Sequence, residues 1–147
     1  MFKSIIATSN AFTPFLIRLA LGVVMFPHGA QKALGWFGGY GWTGTMGYFT
    51  GLGLPTAVVA LIILGEFLGA LGVITGTLTR VAAAGFVIIQ AGAIATAHLP
   101  FGFFMNWTGA QKGEGIEYGL LALAMSLSLV LTGAGRWSID RAATPAV

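Results

Sequence analysis

The sequence predicts an all-α fold: an integral membrane bundle of four helices. Hydrophobic residues make up 56% of the 147 positions and charged residues only 7%, whereas a typical soluble domain contains about 25% charged residues. Four apolar segments are each about long enough to cross a hydrocarbon core of about 30 Å. The 23 glycines would weaken soluble helices, but they allow helices to pack closely in a bilayer.

The four segments belong to a single membrane domain over residues 1–147. They cover residues 14–34, 55–76, 78–99 and 116–131. Pro14 and Pro55 suit the first turn of a helix, and Pro100 suits the position after a helix. No small-residue cleavage site follows the first segment, so we expect this segment to be retained as a signal anchor.

Two longer connections, residues 35–54 and 100–115, contrast with a tight turn around Thr77. Both are rich in Gly, Trp, Phe and Tyr, and Trp and Tyr favour the headgroup region. We therefore expect two aromatic, glycine-rich loops along the outer membrane surface. Their rings form either an interfacial belt or the wall of a pocket for a planar ligand.

Lysine and arginine positions predict the orientation. With a cytoplasmic N-terminus, the cytoplasmic ends hold five basic residues and the outer ends hold two: Lys3, Arg18, Arg80, Arg136 and Arg141 against Lys32 and Lys112. This excess favours both termini in the cytoplasm. Because the basic residues are scattered singly, we predict no nucleic-acid partner. The chain has no cysteine, so thiolate ligands and disulfides are excluded within it.

The run from Phe26 to Lys32 interrupts the first apolar segment. It carries Pro27, His28, Gln31 and Lys32 at a depth where a side chain facing lipid should be apolar. Ionisable groups inside a span are costly unless they face protein or water, so by default they indicate a site. The alternative is an early helix end with interfacial side chains.

Polar residues from the four segments are expected to meet between mid-membrane and the outer surface. We predict two catalytic residues, His28 and Glu66. The predicted ligand-binding residues are Arg18, Lys32, Gln90, His98, Trp107 and Glu117. The alternative is that these residues form structural pairs that lock the bundle. No HxxxH or ExxH spacing occurs, so we predict no metal site.

Glu66 is the strongest candidate for a functional residue because it lies near the middle of its segment. A lone carboxyl at this depth must be neutral, or paired with Arg18, His28 or Lys32. Burial favours the neutral form, and a neutral Glu66 could handle a proton or a ligand. The other interpretation is a structural ion pair.

Several short stretches, spread over nearly the whole chain, form a recognisable pattern: Arg18-Leu19, Phe26-Pro27-His28-Gly29-Ala30-Gln31-Lys32, Gly35-Trp36-Phe37-Gly38-Gly39, Glu66-Phe67, Leu78-Thr79-Arg80, Asn106-Trp107, Glu117-Tyr118 and Gly135-Arg136-Trp137. Together they resemble the DoxX family of small four-helix membrane proteins, and the first-helix pattern is the most specific. The resemblance implies association with a terminal quinol oxidase, with thiosulfate:quinone oxidoreduction, or with enzymes that handle catechols and quinones.

Residues and resemblance together favour a membrane subunit of a quinone-linked redox system in the inner membrane. It would bind a quinone or similar lipophilic aromatic, with His28 and Glu66 handling protons, Lys32 and His98 bonding the ring oxygens, and Arg18 balancing charge. The chain carries no evident electron carrier, so its own enzymatic activity is left open and a partner redox enzyme is expected. The alternative is a non-enzymatic scaffold or small-molecule permease. A homo-oligomer is also left open, because Gly65, Gly69, Gly72 and Gly76 offer a close-packing face.

Overall fold

The computed structural model describes residues 2–144, with side chains from residue 4 onward. Within this range the chain is helical and contains no strand. The α-helices are α1 (Phe2–Ile5), α2 (Phe12–Leu34), α3 (Gly41–Gly51), α4 (Thr56–Thr75), α5 (Thr79–Ala93), α6 (Glu117–Thr132) and α7 (Ile139–Ala143). A 3₁₀ turn, Trp36–Gly38, follows α2, and α5 continues into a π-helical turn, Ile94–His98, and a second 3₁₀ turn, Leu99–Phe101.

Among the described residues, three helical stretches are long and apolar enough to cross a membrane. They are Phe12–Leu34, Thr56–Thr75 and Thr79–Phe101. The fourth predicted segment forms α6, which is apolar but has only 16 residues. At about 1.5 Å per residue it is about 24 Å long, shorter than the hydrocarbon core. A helical membrane protein is therefore confirmed, and the fourth span stays a prediction.

The helices α2, α4, α5 and α6 form a ring. α2 packs against α4 and α6, and α5 packs against the same two helices from the opposite side. The centre of the ring is filled by apolar side chains from all four helices, among them Leu21, Met25, Val73, Phe86 and Leu129. Successive helices in the ring run antiparallel, so the bundle has two distinct ends.

One end of the bundle, which we call the basic end, is held together by Arg18 and Asp140. Arg18 is only 1% exposed, and its guanidinium donates to the backbone carbonyls of Ala134, at 3.0 Å, and Val73, at 3.1 Å. The Asp140 carboxylate accepts the backbone N–H of Thr79, at 2.9 Å, and so caps the first turn of α5. These contacts tie the C-terminal segment to the ends of α4 and α5.

The opposite end, which we call the loop end, holds residues 35–54 and 102–116. The first of these stretches was expected to be a loop, but it contains the 11-residue helix α3. Four of its residues are glycine, so helix propensity is poor. α3 packs against α2 and α4, and this tertiary packing stabilises a helix that sequence periodicity does not indicate.

Gly29 sets the close crossing between α2 and α4. A Cβ atom at this position would lie 2.6 Å from the Cα of Phe67, so only glycine lets the two backbones approach this closely. The approach places the next turn of α2, which carries Lys32, against Glu66 of α4.

The small-residue face of α4 is used inside the bundle. A Cβ at Gly65 would lie 3.1 Å from the Ile89 side chain, and one at Gly69 would lie 3.2 Å from the Phe86 ring. Both neighbours belong to α5. This face therefore packs α4 on α5 and is not available as a subunit interface, and a homo-oligomer stays a prediction.

Candidate functional site

A cavity of about 230 Å³ lies among α2, α4, α5 and α6, towards the loop end. Each of these helices contributes to its lining. Seven polar side chains line it: His28, Lys32, Glu66, Gln90, His98, Glu114 and Tyr118. Five of these are residues that the sequence singles out as catalytic or ligand-binding, and we call this space the ligand cavity.

An ion pair occupies one wall of the ligand cavity. Lys32 Nζ lies 2.6 Å from Glu66 Oε2, and the two side chains are 24% and 7% exposed. The structure therefore shows Glu66 paired with a basic neighbour, one of the two arrangements that the sequence left open. The reason is tertiary: the close crossing at Gly29 brings the Lys32 ammonium within reach of the carboxylate.

Two hydrogen-bond donors in the cavity point at a weak acceptor. Gln90 Nε2 lies 3.4 Å from the Met25 sulfur, and the Tyr118 hydroxyl lies 3.5 Å from the same atom. A thioether sulfur accepts hydrogen bonds only weakly. Both donors therefore retain capacity for a stronger acceptor, such as a carbonyl oxygen of a bound molecule.

His98 reaches the cavity because α5 changes its pitch. The π-helical turn Ile94–His98 widens the last turns of the helix, a feature frequently found at functional sites. His98 Nδ1 lies 3.0 Å from the backbone carbonyl of Glu114. A carbonyl oxygen can only accept, so Nδ1 carries the proton and the Nε2 of a neutral ring is left as an acceptor.

His28 marks the mouth of the ligand cavity. It lines the cavity and yet is exposed, as is Glu114. The His28 ring lies 5.9 Å from the ring of Tyr118, centroid to centroid. The cavity thus opens where α2 meets the start of α6.

The stretch 102–116 covers the cavity at the loop end, and two acidic residues hold it in place. The Glu117 carboxylate accepts from the backbone N–H of Met105, at 2.7 Å, and from the indole N–H of Trp107, at 3.0 Å. Glu114 accepts the backbone N–H of Asn106 at 2.7 Å. Trp107 and Glu117, which the sequence suggests as ligand-binding residues, thus support the cover and do not line the cavity.

Arg18 is the predicted ligand-binding residue that lies farthest from this arrangement. Its guanidinium is occupied by backbone carbonyls at the basic end, among them those of Ala134 and Val73. It does not line the ligand cavity. Its sequence position, four residues into the first segment, could not reveal that the C-terminal segment folds back to receive it.

Met25, Glu114 and Tyr118 line the cavity although the sequence analysis did not choose them. Met25 precedes His28 by three residues and Lys32 by seven, so a helical spacing shared with these two residues could have identified it. Tyr118 follows Glu117 directly and could have been found in the same way. Among the described residues, no group of three His, Asp or Glu side chains is placed to hold a metal ion.

The fold and this cavity define a small multi-pass membrane protein with a polar site inside its bundle. The sequence model of the DoxX family matches residues 13–99, more than half of the chain, and the chain belongs to this family.

Two relatives extend the comparison. CatD of Bacillus subtilis (strain 168), provisionally named an oxidoreductase, is 30% identical over 125 residues, which cover 85% of this chain and 82% of CatD. The inner membrane protein YqjF of Escherichia coli (strain K12) is 36% identical over 110 residues, which cover 73% of this chain and 78% of YqjF. No solved structure matches. The predicted family and the predicted localisation, a multi-pass protein of the inner membrane, are confirmed.

Proposed function

We propose that this chain is the membrane subunit of a quinone-linked redox system and that it binds the headgroup of a quinone, or of a similar lipophilic aromatic, in the ligand cavity. The observation that carries this proposal is the set of donors and acceptors inside one apolar-walled space. Lys32, Gln90 and Tyr118 offer N–H and O–H groups, while Glu66 and the Nε2 of His98 offer acceptors.

The size and opening of the cavity support a one-ring headgroup. Its volume of about 230 Å³ is below the range of about 300–1,000 Å³ that is common for drug-sized ligands. In this proposal an apolar tail passes from the mouth beside the exposed His28 into lipid. A one-ring quinone with an isoprenoid or alkyl tail has this shape.

The chemistry of the lining fits both redox forms of such a ligand. Quinone carbonyl oxygens accept hydrogen bonds, and Lys32, Gln90 and Tyr118 can donate them. Quinol hydroxyls donate, and Glu66 and His98 can accept. Because reduction of the ring consumes protons and reoxidation releases them, groups that exchange protons must lie within reach, and we assign this role to Glu66 and His28.

We assign the electron carrier to a partner redox enzyme. The sequence has no cysteine for an iron–sulfur cluster and no glycine-rich nucleotide motif. The oxidoreductase name carried by CatD is in line with a redox setting. In this proposal the chain, as one domain over residues 1–147, binds the ligand and moves protons while its partner moves electrons.

We further propose that four helices span the membrane with both termini in the cytoplasm. The described arginines, Arg18, Arg80, Arg136 and Arg141, belong to segments at the basic end, whereas Lys32 and Lys112 belong to the loop end. An excess of basic residues favours the cytoplasmic side. The ligand cavity then lies towards the outer leaflet.

Binding of a short-tailed quinone tests the proposal. Purified protein in nanodiscs is titrated with decyl-ubiquinone, and the Gln90→Leu variant is compared with Ser126→Ala, a matched control that removes a buried hydroxyl outside the cavity. Loss of one hydrogen bond of about 0.5–1.5 kcal/mol should weaken binding by up to about tenfold in Gln90→Leu only. No binding to the unmodified protein, or equal loss in both variants, would contradict the proposal.

A non-enzymatic scaffold or permease is the second candidate, and one observation favours it. The Lys32–Glu66 pair satisfies both charges without a ligand, as a structural pair should. Native mass spectrometry of gently purified protein separates the two readings. Co-purified quinone supports the redox subunit, whereas protein that arrives without ligand and binds none supports the scaffold.

A further inference from the structure

A second cavity, of about 270 Å³, lies at the loop end between the last turn of α2, the 3₁₀ turn Trp36–Gly38 and α3. Its lining includes Gln31, Lys32, Gly39, Thr45, Tyr48 and Phe49. Gln31 donates to the backbone carbonyl of Phe37 at 3.2 Å and so fixes the 3₁₀ turn against α2. We call this space the vestibule.

Lys32 belongs to both cavities. Its ammonium is bonded to Glu66 in the ligand cavity, while the same side chain forms part of the vestibule wall. Among the polar side chains that line the ligand cavity, it is the one that also lines the vestibule. A proton that crosses from one space to the other would therefore meet Lys32.

The vestibule has the character of a space open to water. Tyr40 and Tyr48, which line it, are largely exposed and form its rim. Thr45, at 4% exposure, places a hydroxyl-bearing side chain deep in its wall. A polar, roomy cavity of this kind can hold ordered water, and water beside an ammonium group can exchange protons with it.

We infer that the vestibule is the proton route to the ligand cavity and that Lys32 relays protons between its water and Glu66. This inference rests on the proposed function. Glu66 carboxylate takes a proton from a ligand hydroxyl, and the Lys32 ammonium gives a proton to a vestibule water. Neutral Glu66 then passes its proton to the Lys32 amine. The ion pair is restored, and one proton has moved from the ligand to water, with no electron transferred.

Cysteine labelling tests water access without any ligand. The chain has no cysteine, so Thr45→Cys introduces a single thiol into the vestibule. Ser126→Cys is the matched control, because Ser126 is 0% exposed and lines neither cavity. In nanodiscs, a charged methanethiosulfonate reagent should modify Thr45→Cys and leave Ser126→Cys intact. If neither thiol were modified by the reagent, the inference that water enters the vestibule would be wrong.

A chromophoric phenol tests the relay itself. 4-Nitrophenol bound in the ligand cavity reports its own ionisation by absorbance after a pH jump. Labelling of Thr45→Cys should slow this response by about tenfold or more, relative to the same unlabelled variant. An unchanged rate with bound nitrophenol would overturn the relay. If the unmodified protein binds neither nitrophenol nor decyl-ubiquinone, the proposed function fails, and the vestibule is then judged by the labelling result alone.

Discussion

At the residue scale, Glu66 shows how the fold supplies a partner for a buried acid. In a lone helix at mid-membrane its carboxyl would favour the neutral form. Beside Lys32, at 2.6 Å, the ionised form is matched by an opposite charge. Because the lysine is partly exposed, the pair lies at the border between the bundle interior and the vestibule. The pair links α2 to α4, and its position is in line with the proton exchange proposed above.

Glu66→Gln is expected to lower the thermal stability of the protein in detergent. Breaking a buried ion pair costs about 3–5 kcal/mol, and the loss here should be smaller because Lys32 can turn towards water. The double variant Glu66→Gln/Lys32→Met should recover part of the loss, since it leaves no unmatched charge. Melting temperatures of the unmodified protein, Glu66→Gln, Lys32→Met and the double variant give the coupling between the two residues. Independent, additive effects would show that the pair contributes nothing.

Arg18→Lys is expected to destabilise the protein without changing ligand affinity per folded molecule. Lysine keeps the charge but loses the planar fork that donates to several carbonyls at once. Melting temperature and decyl-ubiquinone binding are measured on the same preparation. Weaker binding at unchanged stability would return Arg18 to the ligand site, where its charge was first expected to act.

At the element scale, the crossing of α2 and α4 positions the whole site. Gly29 lets the two backbones touch, and this contact brings Lys32 to Glu66. The π-helical turn at the end of α5 plays a similar part for His98. In both places α2 or α5 departs locally from an ordinary helix. The missing side chain at Gly29 brings Lys32 to the cavity, and the widened turn at the end of α5 brings His98 there.

Gly29→Ala is expected to separate α2 from α4 and to destabilise the protein by about 1–3 kcal/mol, the usual cost of overpacking. Its Cβ would meet the Phe67 backbone at 2.6 Å, which cannot move aside as a flexible side chain would. Gly92→Ala on α5 is the matched control, because a Cβ there meets nothing within 4 Å. Chemical or thermal unfolding in detergent measures both. Equal stability of the two variants would contradict the close crossing.

At the scale of the whole molecule, the two ends of the bundle differ in construction. The basic end is fixed by hydrogen bonds that the Arg18 guanidinium donates to backbone carbonyls and that the Asp140 carboxylate accepts from backbone N–H groups. The loop end carries exposed aromatic residues, among them Trp36, Tyr40 and Trp107, and it holds both cavities. One end of the bundle is therefore stabilised by side-chain hydrogen bonds to the backbone, and the other end contains the cavities.

Reporter fusions test the orientation of this division. Fusions after Thr77 and at the C-terminus are expected to behave as cytoplasmic, and a fusion after Gly41 as external, because the basic residues favour the cytoplasmic side. The fusion after Thr77 also reports whether α4 and α5 cross the membrane as an antiparallel pair. An external C-terminus would contradict both the orientation and the fourth span.

The sequence by itself determined the class of the protein and most of the cavity's polar lining. Apolar length and low charge are enough to indicate spanning helices, because lipid penalises every unpaired polar group. The same penalty makes His28, Lys32, Glu66, Gln90 and His98 conspicuous, and all five line the ligand cavity.

Only the tertiary structure decided which of these residues meet, and which other residues join them. Glu66 had three candidate partners, and the backbone approach at Gly29 selected Lys32. Arg18 had the right charge for the site, but the C-terminal segment folds back and occupies its guanidinium with carbonyls. α3 forms from a glycine-rich stretch because its neighbours pack against it. Each of these outcomes depends on contacts between residues far apart in the chain, which periodicity and local propensity do not encode.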